Sequence, residues 1–184
     1  GIGYGGSCFP KDVSALKQVA GLRGYDFKLL SAVIEVNNRQ RQVFFQKILD
    51  ELKILKGRRI AVWGLAFKPG TDDIRESAAV DIVQKLYSHG AEVIVYDPEA
   101  AELGKKLMPE NIQFAENAVD ATHGAEALVV LTEWPEFQEV SFETVKSRMI
   151  DPIIFDGRNC LRNLKLEKFG FRYQGVGLWD SAKS

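Results

Sequence analysis

The sequence predicts an α/β protein: a doubly wound, Rossmann-like parallel sheet preceded by a long central helix. Three observations carry that prediction. From Lys56 onward, short apolar segments alternate with helical patterns. Those segments are apolar almost throughout, the signature of strands covered by helices on both faces. Ahead of them, Phe27 to Leu55 contains neither Gly nor Pro and repeats apolar residues mostly at spacings of three and four.

In chain order, Gly1 to Gly6 reads as a glycine-rich loop, followed by Ser-Cys-Phe-Pro-Lys-Asp. A short helical pattern comes next, with Val13, Leu16, Val19 and Ala20, closed by Gly21 and Gly24. Pro10 suits the first turn of that helix, where its missing N–H costs nothing. In the long helix, Leu29, Val33, Val36, Phe44, Ile48, Leu52 and Leu55 make the apolar face, and Asn37 to Arg41 interrupt it. Packing on a neighbouring domain or subunit and ordinary core packing are equally compatible with this pattern. Strands are expected at Arg59–Gly64, Glu92–Tyr96, Ile112–Phe114, Leu128–Leu131, Ile153–Phe155 and Phe171–Val176. Ser77–Ser88 is the clearest helix between them. Right-handed crossovers in such a chain give the doubly wound arrangement.

A length of 184 residues with 46% hydrophobic and 27% charged residues suits an ordinary globular protein with a real core. The net charge of -1 gives no basic surface for nucleic acid or an acidic membrane. Apolar runs fall far short of the ~20 residues of a membrane helix. Two cysteines, Cys8 and Cys160, are too few for a secreted disulfide scaffold and read as reduced thiols in a cytoplasmic protein. The chain opens without Met on its densest motif, so it is expected to be a fragment lacking an N-terminal part.

Gly1-Ile2-Gly3-Tyr4-Gly5-Gly6 satisfies G-x-G-x-x-G, yet the dinucleotide fingerprint also needs a strand before it and an acid ending a second strand about 20 residues later. Neither is present, so the pattern is a close-approach loop rather than a fingerprint. In this chain alone it is expected to be a flexible end. Cys8 stands at or just before a helix N-terminus, where the helix dipole and free N–H groups favour a thiolate. Lys11 and Asp12 follow within one turn, a cation and a proton-handling carboxylate beside a nucleophile. Taken alone, a cysteine at a helix start is more often a small buried residue.

Gly3-Tyr4-Gly5-Gly6-Ser7-Cys8-Phe9-Pro10-Lys11-Asp12 resembles the active-site signature of the UDP-glucose/GDP-mannose dehydrogenase family. Within it, Ser7 before Cys8 is closest to the branch acting on UDP-glucose; the N-acetylhexosamine branch usually has His there. Gly64-Leu65-Ala66-Phe67-Lys68-Pro69-Gly70-Thr71-Asp72-Asp73-Ile74-Arg75-Glu76-Ser77 is similar to the motif that opens the family's UDP-binding domain. Tyr96-Asp97-Pro98, Phe155-Asp156-Gly157-Arg158-Asn159 and Tyr173-Gln174-Gly175-Val176-Gly177 follow in the family's order.

The resemblance implies a division into residues 1–56, the catalytic-cysteine loop and a central dimerisation helix, and 57–184, a UDP-sugar-binding Rossmann-like domain. It implies an upstream NAD-binding domain that this chain lacks. Gly1, Gly3, Tyr4, Gly5, Phe67, Lys68 and Arg158 would contact the nucleotide sugar. Arg75 would reach NAD, and Lys11 would contact NAD or neutralise charge near Cys8. Cys8 would be nucleophile and Asp12 the base for hydrolysis, in a double oxidation that uses two NAD+ and turns UDP-glucose into UDP-glucuronate for polysaccharide synthesis. A homodimer is implied. Alternatives are an enzyme acting on GDP-mannose or a UDP-N-acetylhexosamine, or a non-catalytic nucleotide-sugar-binding module.

The residues themselves suit that site. Pro69-Gly70 forces a turn at the sheet edge where open α/β folds bind ligands. Lys68 and Arg75 bring positive charge, and a helix starting near Ile74 would aim its N-terminus at phosphate, with Asp72 or Asp73 as its cap. Asp97 occupies the place of a ribose-binding acid, though Asp-Pro after a strand is as often a turn. His89 and His123 read as helix ends and no metal site is expected. Cys160 and Trp63 read as structural. Trp134-Pro135 resembles a family turn near the nucleotide.

Overall fold

The computed structural model describes residues 1–178, and the observed architecture is the expected one. Two helices come first, α1 (Phe9–Leu22) and α2 (Lys28–Leu52). Six strands follow: β1 (Arg59–Trp63), β2 (Glu92–Tyr96), β3 (Gln113–Phe114), β4 (Ala127–Val130), β5 (Ile153–Asp156) and β6 (Arg172–Gly175). Between them run α3 (Ala78–Ser88), α4 (Ala101–Leu107), α5 (Ala118–Ala121) and α6 (Phe142–Arg148). All strand pairs are parallel, in the order β3-β2-β1-β4-β5-β6. The order reverses between β1 and β4, the switch point at whose C-terminal edge such sheets bind ligands.

The central strands are apolar because both faces are covered. Every residue of β4 and β5 is buried, and so are Ile60 to Trp63 of β1. Trp63 is fully enclosed, and its indole N–H donates to the Ala118 carbonyl at 2.8 Å, satisfying the one polar group of a large apolar side chain. On α3 the buried residues Ala78, Ala79, Ile82, Val83 and Leu86 form one stripe toward the sheet. Each fully buried aliphatic side chain contributes about 1.5–3 kcal/mol.

The start of α3 differs from the expectation. The helix begins at Ala78, capped by Ser77, whose Oγ accepts from the Ala79 N–H at 3.2 Å and donates to the Leu65 carbonyl at 2.7 Å. Neither Asp72 nor Asp73 caps it. Asp73 accepts from the Arg75 N–H two residues on, a local turn, and Glu76 has φ 52°, which interrupts helical geometry before Ser77.

α2 resolves the two packing readings by halves. Phe44, Phe45, Ile48 and Leu52 enter the core, whereas Leu29, Val33 and Val36 stay exposed. Lys47 and Glu51 tie the helix to the last strand: Lys47 Nζ donates to the Gly175 carbonyl at 2.6 Å, and Glu51 accepts from Arg172 and Gln174. Among the described residues, no helix is long and apolar enough to cross a membrane.

Candidate active site at the glycine-rich loop

The glycine-rich loop is not a loose end. Ile2 is completely buried and its N–H donates to the Gly157 carbonyl, just past β5, at 3.1 Å. Tyr4 is held through its main chain by Asn37 of α2, and Gly6 N–H donates to the Arg75 carbonyl at 3.1 Å. Burial of one isoleucine and this set of backbone bonds offset much of the ordering entropy of so short a segment. Two glycines are required by the approach. Gly3 has φ 102° and a Cβ there would stand 2.7 Å from Asn37 Oδ1; Gly6 has φ 88° and its Cβ would press into the Phe67 ring at 2.7 Å.

Arg158 joins the parts. Its Nε donates to the Leu131 carbonyl at 2.9 Å, its Nη2 to Phe67 O at 3.2 Å and its Nη1 to Gly3 O at 3.4 Å. Glu133 lies 3.2 Å from the same Nε, whose hydrogen points to Leu131, so that contact is one of charge. Arg158 thereby brings Gly1, Gly3 and Phe67 into one corner over the C-terminal ends of β1, β4 and β5, with its side chain 14% exposed. Lys68 is exposed beside them, its Nζ 5.4 Å from the centre of the Phe67 ring. Gly5 packs against the Glu76 carbonyl, and the Tyr4 ring meets Phe9 edge-on at 4.7 Å.

Cys8 is exposed and sits at the N-cap position of α1, with Pro10 in the first turn. Ser7 Oγ lies 3.7 Å from its sulfur. Asp12 N–H donates to the Cys8 carbonyl at 2.9 Å, which closes the first turn and leaves the Lys11 and Asp12 side chains exposed on it. Arg75 lies within electrostatic reach of Cys8. Its guanidinium grips Asp73 with two bonds of 2.9 Å, and this pairing, helped by the Ser7 hydroxyl, lowers the Asp73 carboxyl to about 2. The Arg75 side chain is 71% exposed, so the donors that Asp73 does not hold face solvent.

Asp97 is no ribose-binding acid. It is buried, with Oδ2 accepting from Leu65 N, Ala66 N and Trp134 Nε1 and Oδ1 from Glu99 N and Ala100 N. Trp134 is accordingly a buried prop for this knot. Asp156 plays a matching part at the end of β5, accepting from Arg158 N, Leu161 N and Tyr173 Oη. Burial, and then the Asp156 charge, push the Cys160 thiol up to about 12, the state of an inert structural cysteine. His89 ends α3, its Nδ1 2.8 Å from the Lys85 carbonyl. Among the described residues, no cluster of His, Cys, Asp and Glu could hold a metal ion.

Asn37 and Arg41 were not singled out as site residues by sequence. Their sequence signal is the polar break they make in an otherwise apolar helix face. A pocket of about 590 Å³ lies between the Asp72–Arg75 turn and the facing sides of α3 and α4, walled by Val80, Leu103 and Leu107.

Comparison with known proteins places these residues in a family context. Residues 61–163 match the model of the UDP-glucose/GDP-mannose dehydrogenase family, UDP binding domain, and residues 1–39 match that family's central domain. A UDP-glucose 6-dehydrogenase of Bacillus subtilis is 42% identical over 177 residues, covering 96% of this chain and 38% of its own length. One of Pseudomonas aeruginosa is 40% identical over 183 residues, covering 96% of this chain and 40% of its own. The chain thus spans well under half the length of these relatives. Among solved structures, a UDP-glucose dehydrogenase from Pyrobaculum islandicum superposes with a TM-score of 0.83 at 31% identity, over 97% of this chain and 39% of that one. A UDP-D-ManNAc dehydrogenase from Pyrococcus horikoshii gives 0.77 at 32% identity, over 96% and 39%.

Proposed function

The chain belongs to the UDP-glucose/GDP-mannose dehydrogenase family, and from that premise we propose that it is the cysteine-bearing and nucleotide-sugar-binding part of an enzyme that oxidises UDP-glucose to UDP-glucuronate. The observation that carries this reading is the docking of the Cys8 loop onto the corner made by Phe67, Lys68 and Arg158. Residues 1–56 supply the nucleophile and a dimerising helix; residues 57–184 hold the UDP-sugar. In that corner Gly1, Gly3, Tyr4 and Gly5 offer main chain to the sugar, Phe67 and Lys68 a ring and a cation, and Arg158 a guanidinium for phosphate or hydroxyls.

The chain's own residues fit NAD only in part. The N–H groups of Leu65 and Ala66 that would face a pyrophosphate are taken by Asp97, and both oxygens of that acid are committed to the protein. Arg75 is the group able to reach the phosphates of a dinucleotide held on a separate domain, with Lys11 as a second cation. Two NAD+ molecules, held there in turn by that domain with Arg75 and Lys11, would each accept one hydride.

The chain's part in the reaction is covalent. Once the 6-hydroxyl has lost its proton and carbon 6 a hydride, carbon 6 is an aldehyde; Cys8 Sγ adds to it and the thiol proton passes to the carbonyl oxygen, giving a thiohemiacetal. When the thiohemiacetal loses its hydroxyl proton to solvent and a second hydride from carbon 6, it becomes a thioester on Cys8, which water attacks. Asp12 takes the proton of that water and Cys8 leaves as thiolate, aided by the cations of Arg75 and Lys11, to release the uronate. A thiol suits the task because it adds readily to an aldehyde and its acyl product remains hydrolysable. Leu22 and Leu29, 80% and 72% exposed on α1 and α2, support a homodimer through this apolar face. The two unpaired cysteines support a cytoplasmic setting.

Calorimetry on the 184-residue chain is expected to show binding of UDP and UDP-glucose without NAD+-dependent turnover. In the full-length protein, tested on UDP-glucose, GDP-mannose and a UDP-N-acetylhexosamine, UDP-glucose should be preferred and Cys8→Ser should stop uronate release. Undiminished release by Cys8→Ser would refute the covalent role.

A further inference from the structure

Resting on that reading, we propose that Asn37 and Arg41 of α2 are positioning residues for the nucleophile, fixing the main chain of the glycine-rich loop and thereby the placement of Cys8 against the Phe67–Glu76 loop. The two residues stand one turn apart on a single helix face. Asn37 treats Tyr4 as a strand partner would: Oδ1 accepts from the Tyr4 N–H at 2.7 Å and Nδ2 donates to the Tyr4 carbonyl at 3.3 Å. Arg41 Nη2 bridges two segments, donating to the Tyr4 carbonyl at 3.4 Å and to the Glu76 carbonyl at 3.1 Å. One guanidinium thus staples the loop before Cys8 to the loop that carries Phe67 and Arg75.

The arrangement goes beyond packing. Asn is a weaker helix former than Ala, and Asn37 is buried in mid-helix, so helix stability does not account for it. Arg41 holds its Nε buried without an acceptor among the described residues, a cost that an apolar side chain would avoid. Glu76, whose carbonyl Arg41 holds, has a left-handed φ of 52°, a conformation that persists only when neighbours enforce it. The hold is passed on to Cys8 by two routes. The Tyr4 ring packs edge-on against Phe9, the first residue of α1, and Gly6, two residues before Cys8, bonds through its N–H to the carbonyl of Arg75.

Two measurements test this together. In the 184-residue chain, hydrogen exchange of the Tyr4 amide should quicken about tenfold or more in Asn37→Ala, with Tm close to wild type because Ala favours the helix. In the full-length dehydrogenase, Asn37→Ala and Arg41→Met should lower kcat by roughly 10–100-fold while KM for the sugar nucleotide changes less than about threefold. Arg41→Lys, which keeps a cationic donor group on a flexible stem, should recover part of that kcat. Unchanged Tyr4 exchange in Asn37→Ala overturns the proposal. So does a parallel fall of Tm, kcat and affinity without rescue by Arg41→Lys, which marks plain structural damage. If the wild-type enzyme turns over none of the three nucleotide sugars, the functional reading fails; Tyr4 exchange then decides the clamp alone, quickened exchange upholding it and unchanged exchange overturning it.

Discussion

Asp97→Ala is expected to destabilise the chain as much as the loss of a large core side chain. The carboxylate is 1% exposed and accepts five hydrogen bonds, from Leu65 N, Ala66 N, Glu99 N, Ala100 N and Trp134 Nε1. Removing it strands the donors. Each buried donor left without a partner costs about 1–3 kcal/mol. Glu99 N is partly buried and can turn to water, which leaves four in the interior. Their losses overlap, since they surround one cavity that entering water would share, so about 3–5 kcal/mol is expected in place of the full sum. Against a total stability of about 5–15 kcal/mol that is a large fraction. For a chain of this size it corresponds to a fall in Tm of roughly 6–20 °C. Asp97→Asn keeps one acceptor and turns the other into a donor aimed at N–H groups, so its loss should fall between wild type and Asp97→Ala. Thermal and urea unfolding followed by circular dichroism measure both. A Tm for Asp97→Ala within about 2 °C of wild type would show that the knot is not what holds the β1 and β2 loops together.

Two further outcomes concern ionisable groups. Asp73, lowered from 3.8 to about 2 by Arg75, has its folded pKa depressed, so the pair adds stability above the unfolded value that disappears as pH falls from about 4 toward 2. The stability difference between wild type and Asp73→Asn should therefore be present at pH 5 and shrink below pH 3; a difference independent of pH would contradict the pairing. Thiol labelling of the native chain near pH 8 should modify exposed Cys8 quickly and Cys160 only on unfolding, since burial and the Asp156 charge hold the latter thiol up at about 12. Two equally fast thiols by mass spectrometry would count against that assignment.

The fold was legible because its signals are local and redundant. Fully apolar β4 and β5 and the apolar stripe of α3 could bury their faces only in a covered parallel sheet. Boundaries moved by a residue or two where pairing, which sequence does not show, ends the strand; β3 is two residues long because only Ile94 and Val95 find partners there. The candidate site was legible as residues and not as a constellation. Gly3, Phe67 and Arg158 are far apart in sequence, and nothing local says that one guanidinium will bond to two of them. The acids misled for a related reason. A surface cap and a buried acceptor look alike in sequence, and only the fold shows Asp97 enclosed by main-chain donors and Asp73 turned back by Arg75.

The burial of Ile2 beside Gly157 also has a bearing on how the molecule assembles. Contacts between the first residues and the end of β5 span nearly the whole sequence, 155 positions between Gly3 and Arg158. The loss of chain entropy on closing so long a loop favours forming β1, β4 and β5 first, with the glycine-rich segment joining a sheet edge already made. Cys8 would then reach its native surroundings late in folding. During synthesis it would lack its Ser7–Arg75 surroundings until β5 had left the ribosome, so the thiol is exposed to oxidation both before and after the fold is complete.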